Sequence, residues 1–459
     1  VSKPTIAIVG GGLSGTLLAL HLLSSLRQTA NIRLVERGPA FGRGLAYSTR
    51  QPEHLLNVRA GNMSAYPDRP THFQDWLAQT TGQASDAFSF APRWVYGDYL
   101  QGQLRVAAQG SAAAGRLDLV QDEVVAIRRV NGRLRLELAL GRGLEADVVV
   151  LATGHGAATA PVGDRVRVAH HPAYVANPWA PGALEAVGRD DSVLLLGTGL
   201  TAVDVIASLD GHGHRAPILA LSRRGLLPHR HARFGGDPAP WTPRPGEPLS
   251  RALRRFRLEA DRMRDWRRAF DGLRAATQDL WAGMDHTQRR RFLRHLRPWW
   301  DIHRHRMAPR IADRIAAHLD DGRLSVVAGR LTELRWEVGA VTATWRPRAQ
   351  TTLVADRARW VINCTGAEGD PSRSDNPLVR DLIGRGMARA DPLRLGLEAD
   401  DEGRLIAAGG AAQADLFGVG PIIRGGLWEV VAVPDIRIEA QRLAARIAAG
   451  LQHRLPLAG

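Results

Sequence analysis

Cysteine and lysine are nearly missing from this chain. Among 459 residues there is one cysteine, Cys364. An intrachain disulfide, a dithiol redox pair and a cysteine-rich metal site are therefore all excluded. A single lysine, Lys3, stands among 61 basic residues, so neither a Schiff-base lysine nor a phosphate-loop lysine is available. No apolar run approaches the roughly 18–20 residues that a membrane-spanning helix needs. The first residues enter a strand pattern with no signal-peptide layout, and the expected location is cytoplasmic. No catalytic triad or carboxylate dyad is evident. What remains is the composition of a folded protein, 44% hydrophobic and 23% charged, long enough for two or three domains. The formal charge of +15 is carried by arginine. These arginines are spread through patterned segments with acids among them, which reads as a basic surface rather than a nucleic-acid arm.

Glycine, by contrast, is abundant and placed. Ile6-Ala7-Ile8-Val9 is followed by Gly10, Gly12 and Gly15 in G-x-G-x-x-G spacing. Leu17, Leu18, Leu20, Leu22 and Leu23 then fall at helical intervals, and a second strand, Ile32-Arg33-Leu34-Val35, ends in Glu36. Each part has a physical reason in a dinucleotide site: a tight turn, a close backbone approach to a pyrophosphate, close helix–strand packing, and an acid for ribose hydroxyls. A glycine-rich loop, Arg37 to Ser48, continues to Ser64 and is long enough to wrap a large cofactor. Phe73 to Leu77 reads as the start of a helix. Leu117–Val120 through Ile127, with Leu134 to Leu140, reads as a small antiparallel meander. Ala146 to Gly154 is a buried-type parallel strand closing in Ala152-Thr153-Gly154.

A second fingerprint follows a crossing segment from Gly156 to Asp191. Val193-Leu194-Leu195-Leu196 leads into Gly197, Gly199, Thr201 and Ala202, with alanine at the third position, where only close packing is required. The next strand, Ile218 to Leu221, ends in Ser222-Arg223-Arg224 rather than an acid. That charge suits a ribose 2′-phosphate and favours NADPH over NADH. Pro245 to Asp320 is helical and arginine-rich, with Trp266, Trp281, Trp299 and Trp300 at packing intervals. His303-Arg304-His305-Arg306-Met307 lacks carboxylate or cysteine at ligand spacing, so a structural or anion-binding role is expected in place of a metal. Strands are expected at Leu324–Val327, Leu331–Trp336 and Val341–Trp345. Trp360 to Gly366 mirrors the earlier strand ending in Thr-Gly, which suggests a duplicated nucleotide fold. A late strand at Arg404 and a final helix from about Asp435 to Ala449 close the chain.

With these residues assembled, the chain resembles the bacterial FAD/NAD(P)-binding proteins related to flavin-dependent N-hydroxylating monooxygenases. The segments that carry the likeness are Gly42–Ser48, His54–Val58, Phe292–His295, His303–Arg306 and Gly420–Glu429. The resemblance implies an α/β fold with two Rossmann-like dinucleotide-binding domains, for FAD and NADPH, and a helical arginine-rich insertion. The expected division is 1–160 and 367–459 for FAD, and 161–366 for NADPH with the insertion at about 245–320. FAD would be held at Gly10, Gly12, Leu13, Ser14, Gly15, Glu36, Arg37, Gly44, Tyr47, Thr153, Gly154 and Gly420. NADPH would be held at Gly197, Gly199, Thr201, Ser222, Arg223, Arg224 and Gly366. By family position, Asn57 and Met63 would lie beside the flavin ring, and Arg59 and Arg424 would grip an anionic substrate group. The implied activity is NADPH-driven oxygenation of a small amine or amino acid by molecular oxygen, through a C4a-hydroperoxide of the flavin. The rival readings are an NADPH-dependent flavin reductase or dehydrogenase without oxygenation, and an RNA-binding flavoprotein.

Overall fold

The computed structural model describes residues 3–26, 29–82, 86–112, 116–156, 158, 167–233, 237–244 and 246–454. Residues 157 and 159–166 of the expected crossing, and Pro245, lie outside them. The chain separates into two compact units. One joins Val1–Arg50, Val58–Gly156 and Glu368–Gly459; the other joins Gln51–Asn57 and Ala157–Ala367.

The first unit is built on a six-stranded sheet. Thr5–Val9 lies at its centre, between Asn31–Glu36 and Val148–Leu151, and all three run parallel. Every residue of Thr5–Val9 and Val148–Leu151 is buried, which is why these strands read as continuous apolar runs rather than alternating ones. Helix Leu13–Ser25 is apolar on nearly all sides and buried from Ser14 to Leu22, because it lies between the sheet and the closing helix Val433–Arg454. Outward from Val148–Leu151 come Ala412–Gly418, parallel, and then Arg404–Ile406, antiparallel. The far edge is Leu117–Gln121, and here the expectation from sequence fails. That strand does not enter the meander; it pairs parallel with Asn31–Glu36. The meander is formed by Val124–Val130, Arg133–Leu138 and Gly143–Ala146. Its inner residues, Val124, Ile127, Leu134 and Leu136, share a core with Leu378, Val379 and Leu382.

The second unit repeats the plan. Val193–Leu196, fully buried, lies parallel between Ile218–Ser222 and Trp360–Asn363. Beside Ile218–Ser222 runs one strand of fourteen residues, Leu324–Glu337, where two separate strands were expected. Its first half pairs parallel with Ile218–Ser222. From Gly329 onward it pairs antiparallel with Ala340–Pro347, with a register shift inside that ladder between Leu331 and Glu333. The insertion comprises helices Leu249–Met263, Trp266–Gly272, Thr277–Ala282, His286–Arg291, Arg297–Arg304 and Pro309–Asp320. Trp241, Phe270 and Leu273 are the buried centre that Phe256, Trp266 and Trp300 pack against. Two helix starts are set by capping: Asp265 accepts from Arg267 N, and Asp285 forms a capping box with Gln288. This is the α/β architecture expected, two parallel-stranded sheets with an arginine-rich helical insertion.

Candidate cofactor and active site

The first cradle is defined by contacts that leave no room for side chains. Gly10 has φ of +107°, and a Cβ there would stand 2.5 Å from the Ala152 carbonyl oxygen. A Cβ at Gly15 would stand 1.9 Å from the Gly10 carbonyl oxygen. The helix start is thus pressed onto the turn, and the turn onto the end of Val148–Leu151. Gly12, in extended backbone, is the N-cap of Leu13–Ser25; the first N–H groups of that helix have no intrahelical acceptor and form an anion site. Gly420, at φ of +77°, closes over the half-buried Leu13 and buried Ser14: a Cβ at Gly420 would fall 2.2 Å from Ser14 Oγ. Gly44 backs onto Gly12, where a Gly12 Cβ would meet Gly44 Cα at 3.3 Å.

Glu36 is fixed by the backbone at the tip of its strand. One carboxylate oxygen accepts from Gly11 N at 2.7 Å and the other from Gly38 N at 2.8 Å. A carboxylate has about four lone-pair sites, so the same oxygens retain capacity for ribose hydroxyls. Thr153 Oγ1 is buried without a hydrogen-bond partner among the described residues. Gly154 beside it has φ of +72° and open space where a side chain would stand. A buried hydroxyl awaiting a partner, beside open space and an anion-seeking helix start, fits a flavin dinucleotide.

The second cradle has the same geometry. Gly197 has φ of +113°, and its Cβ would lie 2.4 Å from the Cys364 carbonyl oxygen. Gly199 is the extended N-cap of helix Leu200–Gly211, with open space beside it. Thr201 is half-buried in the first turn of that helix, and Gly366 has φ of +88° with open space. The strand tip differs: Arg223 is exposed there, and Arg224 donates to the Arg294 carbonyl at 3.2 Å. An open helix start with an exposed guanidinium at the tip fits a phosphorylated nicotinamide dinucleotide.

Residues 7–156 match the FAD-NAD(P)-binding family.

That match brings in the flavin and nicotinamide pair that the two fingerprints imply. No curated protein matches the chain. Among solved structures, the fold is similar to an L-lysine 6-monooxygenase from Pseudomonas syringae, at 15% identity and a TM-score of 0.65. That comparison covers 98% of this chain and 100% of the other. An ornithine N-hydroxylase from Kutzneria, in a structure titled with reduced FAD, NADP+ and L-ornithine, gives 14% identity and a TM-score of 0.64 over 99% and 100%. A thioredoxin reductase from Lactococcus lactis gives 11% identity and a TM-score of 0.55 over 99% and 100%. At such identities the likeness speaks for the fold.

Of the remaining site residues expected from sequence, Tyr47 is buried with its ring edge on Tyr96, in a cluster with Phe73 and Tyr99. Burial pushes its phenol up to about 12. Arg37 is exposed and pairs with Glu123. Met63 is buried in the first unit, whereas Asn57 belongs to the second, where its carbonyl faces His231 Nε2 at 3.0 Å. Arg59 stacks on Phe88 and Arg424 on Trp428, with guanidinium carbons 5.0 and 4.2 Å from the ring centres. Ser222 faces inward, accepting from Gly225 N. In the histidine–arginine cluster, His303 Nδ1 lies 2.7 Å from the Trp299 carbonyl, and its ring packs against His229 and Trp266.

Three residues have supporting roles that the sequence did not assign. Arg43 is buried, with its guanidinium on Gln101, Asp98 and the carbonyls of Tyr47 and Trp94. It pins the glycine-rich loop to helix Arg93–Ala112. His54 is buried with Nε2 within 2.7 Å of Ser208 Oγ and 3.0 Å of the Asp204 carbonyl, tying Gln51–Asn57 to helix Leu200–Gly211. Cys364 is sealed beneath Gly197, and burial raises its thiol well above the usual range. Only its position in a buried strand signalled that.

Proposed function

We propose that the chain is a flavin-dependent, NADPH-using monooxygenase that adds oxygen to the nitrogen of a small amine or amino acid. The observation that carries the reading is one acid-tipped and one arginine-tipped dinucleotide cradle in a chain whose only thiol is buried. Bound FAD would supply the redox chemistry, taking hydride from NADPH and passing the electrons to oxygen. The protein's part is to bind and orient. The Gly12–Gly15 helix start receives the pyrophosphate, Glu36 the ribose, and Thr153 a polar edge of the flavin. Arg223 receives the 2′-phosphate. Asn57 and Met63 are assigned beside the ring. With one lysine in the chain, at position 3, a substrate carboxylate falls to arginine, and Arg59 and Arg424 are the assigned partners.

The likeness to a thioredoxin reductase supports a second reading, an NADPH-dependent flavin reductase that does not oxygenate. Its disulfide-reducing form requires two cysteines, which this chain lacks. The test is NADPH oxidation by the purified yellow protein against a panel of amines and amino acids, scoring hydroxylamine against hydrogen peroxide. A substrate-dependent hydroxylamine supports the first reading. Peroxide alone with every compound removes it and leaves the reductase.

A further inference from the structure

The strand Ile218–Ser222 ends in a turn that is locked to the second cradle. Ser222 Oγ accepts from Gly225 N at 3.0 Å and lies 2.9 Å from Thr198 Oγ1, which is 2.6 Å from the Leu226 carbonyl. Thr198 sits inside the fingerprint, between Gly197 and Gly199. Cradle and turn are therefore one frame, and the turn presents Arg223 and Arg224. Arg224 in turn holds the insertion, since its guanidinium donates to the Arg294 carbonyl.

Arg294 occupies an unusual piece of backbone. Phe292–Leu296 is a π-turn between helices His286–Arg291 and Arg297–Arg304. Such turns are rare and recur at functional sites. Here Phe292 is buried while Arg291, Arg294 and His295 remain exposed. Some arginines of this unit are matched by acids, Arg255 by Glu247, Arg306 by Asp271 and Arg323 by Asp210, and others rest on carbonyls, as Arg267 does on Arg230 and Arg289 on Trp281. Among the described residues neither Arg223 nor Arg294 has such a partner. Arg223 on the locked turn and Arg294 on the backbone that Arg224 holds through its carbonyl are two exposed guanidiniums without an acid partner among the described residues, the donor chemistry that a dianion takes.

We infer that Arg294, carried by the π-turn, selects the nicotinamide cofactor by closing on the 2′-phosphate opposite Arg223. Arg224 is the positioning residue between them. The inference rests on the NADPH reading of the second cradle and extends it to the insertion: discrimination between NADPH and NADH comes partly from outside the nucleotide fold.

The test is calorimetric titration of the FAD-loaded protein with NADP+ and with NAD+. Arg294→Gln should weaken NADP+ binding about ten- to thirty-fold, the loss of one charge-assisted pair, and leave NAD+ within about two-fold. Arg294→Lys should recover part of the loss, and Arg224→Gln should fall between wild type and Arg294→Gln. Thermal midpoints of the three variants, compared with wild type, separate a binding effect from a folding one. If Arg223→Gln loses NADP+ while Arg294→Gln binds it as wild type does, the inference is overturned and the cradle reading stands. If the wild-type protein binds neither dinucleotide, or both equally, the cradle reading falls and the inference with it. If Arg294→Gln changes only the binding of an RNA oligonucleotide, Arg294 serves that partner and the inference is wrong.

Discussion

Gly15→Ala is the sharpest test of the first cradle. The added methyl would stand 1.9 Å from the Gly10 carbonyl oxygen and 3.3 Å from Ala152 Cβ. Real Cβ atoms essentially never approach within 3.0 Å, so helix and turn must part by at least about 1 Å in an interior that is already close-packed. The turn cannot absorb this by rotating, because Gly10 is itself wedged at φ of +107° against the Ala152 carbonyl. Overpacking costs roughly 1–3 kcal/mol, and a backbone clash belongs at the upper end. The strain has two outlets. If the apo-protein keeps its geometry, urea unfolding shows a loss of about 3 kcal/mol. If the helix shifts instead, regaining the flavin-binding position costs a similar amount, which is about a hundred-fold in FAD affinity. The assay is therefore a pair: urea denaturation of the apo-protein and FAD titration by flavin fluorescence, with the two losses summing to about 3 kcal/mol. Ala202→Gly is the control. That position already holds a buried Cβ in the second cradle, so its removal should cost about 1 kcal/mol of helix stability and leave FAD binding unchanged. A Gly15→Ala protein within about 0.5 kcal/mol of wild type in both measurements would refute the reasoning.

Three further outcomes are expected. Cys364 should resist a disulfide reagent at pH 8 in the native protein and react once per chain in denaturant, since burial raises the thiol; rapid native reaction would contradict its placement. Glu36→Gln puts an amide where Gly11 N and Gly38 N both donate, and should cost about 2 kcal/mol, read as a lower midpoint and faster FAD release. The His229 and His303 rings, with centroids 4.5 Å apart, are both held below the usual histidine range, first by burial. Arg267 and Arg306 beside both rings, and His303 beside His229, lower them further. Because the unfolded chain takes up protons at about pH 6.5 and the folded one only lower, their contribution is complete above pH 6.5 and is lost as pH falls below it. Urea midpoints at pH 7.5, 6.5 and 5.5 should decline in that order, and His303→Phe should flatten the decline; His21 and His72, lowered likewise by burial, keep part of the slope.

What could be read from sequence was whatever local backbone demands impose. Gly10 and Gly15 are forced by contacts within their own strand–turn–helix and with the end of one neighbouring strand, and Gly12 stands against Gly44. The spacing therefore announces itself without knowledge of the rest. Leu117–Gln121 gave no such sign. Its parallel partner, Asn31–Glu36, lies some eighty residues earlier, and its own exposure pattern does not separate it from the antiparallel strands that follow. Likewise, one strand serves two sheet neighbours of opposite sense, changing partner between Ala328 and Gly329 and carrying a bulge between Leu331 and Glu333, and periodicity alone sees an interruption. Arg43 and His54 were hidden for the same reason. Asp98 and Ser208, which give them meaning, are distant in sequence, and a buried arginine is indistinguishable from an exposed one until its acceptors are known.

The duplicated cradle also explains the residue that composition made most conspicuous. Gly10 presses on the carbonyl of Ala152, and Gly197 presses in the same way on the carbonyl of Cys364. Cys364 therefore occupies the position of Ala152 in the second copy, one that needs a small apolar residue at the end of a buried strand. A thiol satisfies that as a small hydrophobe. Its neighbours diverge more than it does: Thr365 is satisfied by Asn363 Oδ1, whereas Thr153 Oγ1 finds no partner among the described residues. The two copies differ at the strand tips, in Glu36 against Arg223 and Thr153 against Thr365, and the proposed division between flavin and nicotinamide rests on that difference. The glycines are common to both and by themselves say only that a dinucleotide can approach.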